Sequence, residues 1–78
     1  MGSIKIAGIK SSNVNLVELD GDVMTVVFRS GTYEYYGINY DKFEANFSEE
    51  AIRDKWGGSY GKAVRYISRG LKYKKISR

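Results

Sequence analysis

Met24-Thr25-Val26-Val27-Phe28 is a β-prone run and Tyr33-Glu34-Tyr35 places aromatics two apart, whereas from Tyr40 onward Phe43 and Phe47 recur at helical spacing. A chain that changes from the strand period to the helix period is confined to an α+β arrangement, a sheet followed by helices that cover one of its faces. With 78 residues there is room for one domain, which buries only roughly 60% of the surface of its unfolded chain. The expected fold is therefore a small antiparallel sheet of three to four strands with two helices on one face.

Strand pairing follows from the turn signals. Ser30-Gly31 separates two β-prone runs, Val23 to Arg29 and Thr32 to Tyr36, and predicts a hairpin that sets Phe28 opposite Tyr33 and Val26 opposite Tyr35. Met24, Val26, Phe28, Tyr33 and Tyr35 then share the core face, and Thr25, Val27, Arg29, Thr32, Glu34 and Tyr36 the other. Asp20-Gly21 predicts a second turn, which brings Val14 to Leu19 alongside and adds Val17 and Leu19 to the core face. Ile4 and Ile6 flank Lys5 in a segment that either forms an edge strand or covers the outer face, where Val14, Leu16, Val23 and Val27 are expected.

In the second half Asn39 is placed to cap a helix over about residues 40 to 55, broken near Ser48 and ended by Gly57-Gly58. Ser59 is placed to cap another, in which Tyr60, Val64, Ile67 and Leu71 fall within about 60° on a helical wheel. Lys62, Arg65, Arg69 and Lys72 fall within about 80° on the opposite side.

Those cations belong to a wider asymmetry. All nine carboxylates lie at or before Asp54, against five cations there, so the first 54 residues carry a net −4 and the last 24 carry +8. Such segregation makes a local positive potential that favours polyanions or an acidic protein surface. Like charges three and four positions apart on one helix also repel by a few tenths of a kcal/mol, a cost that a solvated face of mixed sign avoids.

With no cysteine and no histidine, the chain has no disulfide, thiolate nucleophile or imidazole base, and no ordinary zinc ligand set. No enzyme activity, cofactor or metal is expected. No apolar stretch approaches the roughly 18 residues of a membrane span, so the expected location is the cytoplasm, with no membrane partner. Asp20-Gly21-Asp22 lacks the spaced ligands of a calcium loop and is assigned to a turn. Glu49, Glu50 and Asp54 are assigned to a solvated face. Gly57-Gly58-Ser59-Tyr60-Gly61-Lys62 lacks phosphate-loop spacing and is assigned to the start of a helix, with one phosphate at its amide end as the alternative.

Taken in order, Met24-Thr25-Val26-Val27-Phe28, Gly31, Tyr33-Glu34-Tyr35, Ser59-Tyr60-Gly61, Ile67 and Tyr73 form a pattern that resembles the KTSC domain. That module occurs at the C-terminus of some lysyl-tRNA synthetases and as a small stand-alone protein of bacteria and phages. The resemblance spans about residues 12 to 73 and makes residues 1–78 a single KTSC-like domain, with 1–11 as an N-terminal segment or edge strand and 72–78 as a basic tail. The family's apolar-Pro step before its first helix is replaced by Ile38-Asn39, and residues 48 to 58 read as an insertion. The family has no established activity, and RNA binding is the function suggested for it that the resemblance carries over as an expectation.

Two function classes follow. The first is a noncatalytic module that binds RNA or single-stranded nucleic acid through Lys62, Arg65, Tyr66, Arg69, Lys72, Lys74 and Lys75. Neutralising about five phosphates would give a log–log salt slope near −3.5. Tyr73 is a further stacking candidate in the tail, as is Tyr36 on the outer face, whereas Tyr33 and Tyr35 are assigned to the core. The second class is a protein-interaction module, such as a small phage protein that inhibits or redirects a host complex. It would use the apolar outer set Val14, Leu16, Val23 and Val27, together with Trp56 beside the insertion.

Overall fold

The computed structural model describes residues 3–6 and 13–76. Five strands, β1 (Ser3–Ile6), β2 (Val14–Asp20), β3 (Val23–Phe28), β4 (Gly31–Tyr36) and β5 (Tyr73–Lys75), form one antiparallel sheet in chain order. Between β4 and β5 the chain folds three helices, α1 (Tyr40–Phe47), α2 (Glu49–Asp54) and α3 (Tyr60–Ser68). The architecture is α+β as expected, with one strand more than the expected maximum and a short additional helix. None of the helices is long and apolar enough to cross a membrane.

Both hairpins form, each with a register displaced by two from the expected one. Phe28 pairs with Gly31 and Val26 with Tyr33, so the loop is Arg29-Ser30 and not Ser30-Gly31. Neither loop residue needs a positive φ, which removes the reason to place the glycine inside the turn. Likewise Asp20 pairs with Val23, leaving Gly21 (φ 66°) and Asp22 as the loop. A shift of two residues preserves the side of every side chain, so the expected faces survive. Val17, Leu19, Met24 and Val26 are all buried on the inner face.

Val14 is the exception, and its expected place on the outer face is corrected. It pairs with Phe28 while Leu16 pairs with Val27, so Asn15 is an extra residue in a bulge. The bulge reverses the alternation, and Val14 turns inward with no exposure. β1 settles the N-terminal alternative for residues 3–6: it is an edge strand, with Ile4 opposite Leu19 and Ile6 opposite Val17, and both isoleucines pack against the core. Residues 1, 2 and 7–11 of that segment lie outside the described residues.

Each helix starts at a side-chain cap. Asn39 Oδ1 accepts from the Lys42 amide at 3.0 Å, Ser48 Oγ from the Ala51 amide at 3.1 Å and Ser59 Oγ from the Lys62 amide at 3.2 Å. Each satisfies an amide with no partner inside its helix, a contribution of about 1 kcal/mol. The extended backbone of Ser48 both ends α1 and caps α2, which is the expected break. Gly57 and Gly58 follow at φ 60° and 86°, a left-handed pair that side chains disfavour. Phe43 and Phe47 of α1, Ile52 of α2 and Ala63, Val64 and Ile67 of α3 close over the inner face of the sheet.

Candidate functional site

The helices do not cover the whole inner face. α3 stops at Ser68, Gly70 adopts φ 78°, and the chain returns beside β4, where Tyr73 pairs with Tyr35, Lys74 with Glu34 and Lys75 with Tyr33. The segment expected to be a basic tail is thus, over Tyr73–Lys75, the fifth strand. Tyr36 N donates to Lys72 O at 3.0 Å and Ile76 N to Thr32 O at 2.9 Å, extending the pairing on either side.

Alternation along β5 sorts its side chains. Tyr73 and Lys75 join Tyr33 and Tyr35 on the inner face, and Lys74 lies on the outer face opposite Glu34. Three tyrosine rings meet there: Tyr33 and Tyr35 stack with centroids 6.4 Å apart, and Tyr73 lies 5.9 Å from each. Phe28 meets Tyr33 edge-on at 5.6 Å, and the Lys75 ammonium sits 5.9 Å over the Tyr33 ring. Tyr35 still packs against the core, Tyr33 is half-buried, and Tyr73 is 63% exposed. The cluster is therefore an aromatic strip that leaves the core and ends in solvent. Burial, then the phenols of Tyr33 and Tyr73, raises the Tyr35 pKa above its ordinary value.

At the Phe28 end of the strip an open cleft of about 520 Å³ lies between the β3–β4 turn and the first turn of α3, lined by Asn13, Phe28, Arg29, Ser30, Gly61 and Arg65. Two arginines from separate elements thus line a cleft that also takes in Phe28 of the strip.

The cations expected to act together are divided by the fold. Lys62 and Arg65 are exposed on α3, but Arg69 is already its C-cap and Lys72 lies beyond it, so the expected four-residue helical stripe does not form. Arg65 lines the cleft and Lys75 reaches the strip, while Lys74 faces away from both. Tyr66, 42% exposed, belongs to another group. Its ring lies 5.3 Å from Trp56, with the ammoniums of Lys42 and Lys55 at 5.5 and 5.6 Å. Among the described residues the one ion pair joins Arg53 to Asp54 at 2.9 Å and involves none of these cations.

The expected apolar interface is dispersed as well. Leu16, Val23 and Val27 are partly exposed on the outer face, Val14 is in the core, and Trp56 packs against the core on the helix side. Tyr36 on the outer face donates its hydroxyl to Glu34 at 2.8 Å, a bond that raises its pKa and sets a carboxylate beside the ring. Among the described residues no cluster of three or more metal-ligating side chains occurs.

Sequence reasoning did not assign Phe28, Arg29, Tyr33 or Tyr35 to a binding surface. The alternation of Tyr73, Lys74 and Lys75 was the available signal for β5, and it spans too few residues to separate a strand from a tail. Compared with known proteins, the chain matches no family model, no curated protein and no solved structure.

Proposed function

We propose that this protein is a noncatalytic module that binds single-stranded nucleic acid, RNA foremost, on the strip formed by Phe28, Tyr33, Tyr35 and Tyr73. The observation that carries the reading is the juxtaposition of three tyrosine rings, half-buried at Tyr33 and Tyr35 and exposed at Tyr73, with the Lys75 ammonium at the β4–β5 edge. Every base offers a π-face, so stacking on such rings contributes about 1–3 kcal/mol per base with little sequence preference. Lys75 at the strip and Arg29 and Arg65 at its end supply phosphate contacts beside the stacked bases. The RNA binding implied by the KTSC resemblance agrees in kind.

Counting three phosphate-contacting cations in place of five lowers the predicted salt slope to about −2, or a loss of roughly 20-fold between 50 and 200 mM salt. Fluorescence anisotropy with a labelled six-nucleotide RNA and with duplex DNA tests the reading. Micromolar binding of the single strand, weaker binding of the duplex and a slope near −2 are expected. Equal affinity for duplex and single strand would contradict a stacking surface.

A protein partner on the outer face is the second reading, favoured by Leu16, Val23 and Val27 sharing that face and staying partly exposed. Capture of one stoichiometric protein that survives nuclease and high salt, and is lost on Leu16→Glu, would support it over the first.

A further inference from the structure

We infer that the cleft between the β3–β4 turn and α3 is a subsite for a terminal phosphate monoester, so that the module recognises the end of a strand and not only its bases. The inference rests on the stacking surface proposed above and adds a ligand group to it.

The cleft is where the strip stops. Phe28 forms part of its lining and meets Tyr33 edge-on at 5.6 Å, so a strand laid along Tyr73, Tyr35 and Tyr33 brings one terminus to the cleft. The charge there is of one sign: Arg29 and Arg65 line it, and no described lining residue is acidic. Arg29 comes from the hairpin loop, where its amide donates to Asn13 O at 2.8 Å, and Arg65 from the second turn of α3. The two arginines are thus carried by separately anchored backbones. Planar guanidiniums bind phosphate through paired N–H donors, and two of them suit a group of high charge.

A strand interior offers one negative charge per phosphate, whereas a terminal monoester carries about −1.5 to −2 at neutral pH and has three free acceptor oxygens. The rest of the lining fits the same group. Gly61 lies in the first turn of the nine-residue α3, whose positive end adds to the arginines, and a Cβ built on it would meet only Ser59 Oγ, at 3.9 Å. Ser30 adds a further polar residue to the lining without adding negative charge.

The test uses the full chain and an internally labelled six-nucleotide RNA in three forms, with a 5′-phosphate, with a 3′-phosphate, or with hydroxyls at both ends. Anisotropy at about 150 mM salt should give at least fivefold tighter binding for one phosphorylated form, which also tells which terminus enters the cleft. That preference should fall below twofold in Arg29→Gln and in Arg65→Gln, with circular dichroism verifying the fold of each, and should persist in Arg53→Gln. Equal binding of the three forms would overturn the phosphate subsite and leave the stacking surface standing. A preference that survives both arginine substitutions would overturn the assignment of the cleft. Absence of binding by all three forms would overturn the stacking surface, and the subsite with it.

Discussion

Two parts of the same sheet face meet different fates. On β2 and β3, Val17, Leu19, Met24 and Val26 lie beneath the helices and are buried in one cluster with Phe43 and Phe47, whose rings stack on each other at 4.7 Å. On β4 and β5, Tyr33 and Tyr35 are partly covered and Tyr73 stands largely in solvent. The residue types match the two settings. Aliphatic side chains gain most from complete burial, whereas a tyrosine combines an apolar ring with a polar end and suits a boundary. The comparison teaches that the helices are too narrow for the sheet, and that the part of the inner face they leave open carries aromatics and cations.

Truncation on the two sides should separate stability from binding. Phe43→Ala should cost about 3–5 kcal/mol, because a buried ring leaves a cavity, out of a total of roughly 4–12 kcal/mol for a chain of this size. Urea denaturation followed by circular dichroism would show the midpoint collapse. Tyr73→Ala should cost no more than about 1 kcal/mol of stability, since the ring is mostly exposed, yet should weaken RNA binding by about 1–3 kcal/mol. A Tyr73 variant that loses stability as Phe43→Ala does would erase the distinction between the two regions.

The comparison sharpens on β5 itself, where neighbouring lysines face opposite ways. Lys75→Gln should reduce the magnitude of the salt slope by about 0.7, one phosphate for a single strand. Lys74→Gln should leave the slope unchanged. Equal effects would mean that the cations act as a diffuse cloud and that strand alternation is irrelevant to binding.

The smallest effect is alkaline. The Tyr35 pKa is raised by burial and by the adjacent phenols, so the folded state holds this proton more tightly than the unfolded chain. Its contribution is complete below pH about 10 and is lost as pH rises through the raised value. Relative to Tyr35→Phe, the wild-type melting temperature should therefore be constant up to pH about 10 and decline above it, as read from thermal melts.

Much of this fold is legible in the residues, and the failures have local causes. Alternation fixes which side chains share a face even where the register is displaced by two, because the strand period is also two. Asn39, Ser48 and Ser59 act as caps because their types and positions leave the following amides a nearby acceptor. Val14 misleads because a bulge at Asn15 has no signature in composition, and only the pairing partners reveal it. The cation stripe misleads because helical spacing extrapolated through Leu71 ignores Gly70, whose left-handed backbone lies beyond the helix. That same misreading conceals β5 and hence the strip, since Tyr73 reaches Tyr33 and Tyr35 only through a pairing across nearly forty positions of sequence. Several residues of the motif pattern read in the sequence have clear structural duties: Met24 and Val26 are core, Ser59 is a cap and Ile67 is buried.

The most direct test of the open half of the face is a proton NMR titration of the aromatic region with a six-nucleotide RNA at about 50 mM salt, a condition that favours phosphate contacts. The ring signals of Tyr33, Tyr35 and Tyr73 should move and broaden together, while those of Tyr36 on the outer face and of Trp56 and Tyr66 on the helix side stay in place. Movement confined to Trp56 and Tyr66, or to Tyr36, would contradict the assignment of binding to the β4–β5 strip.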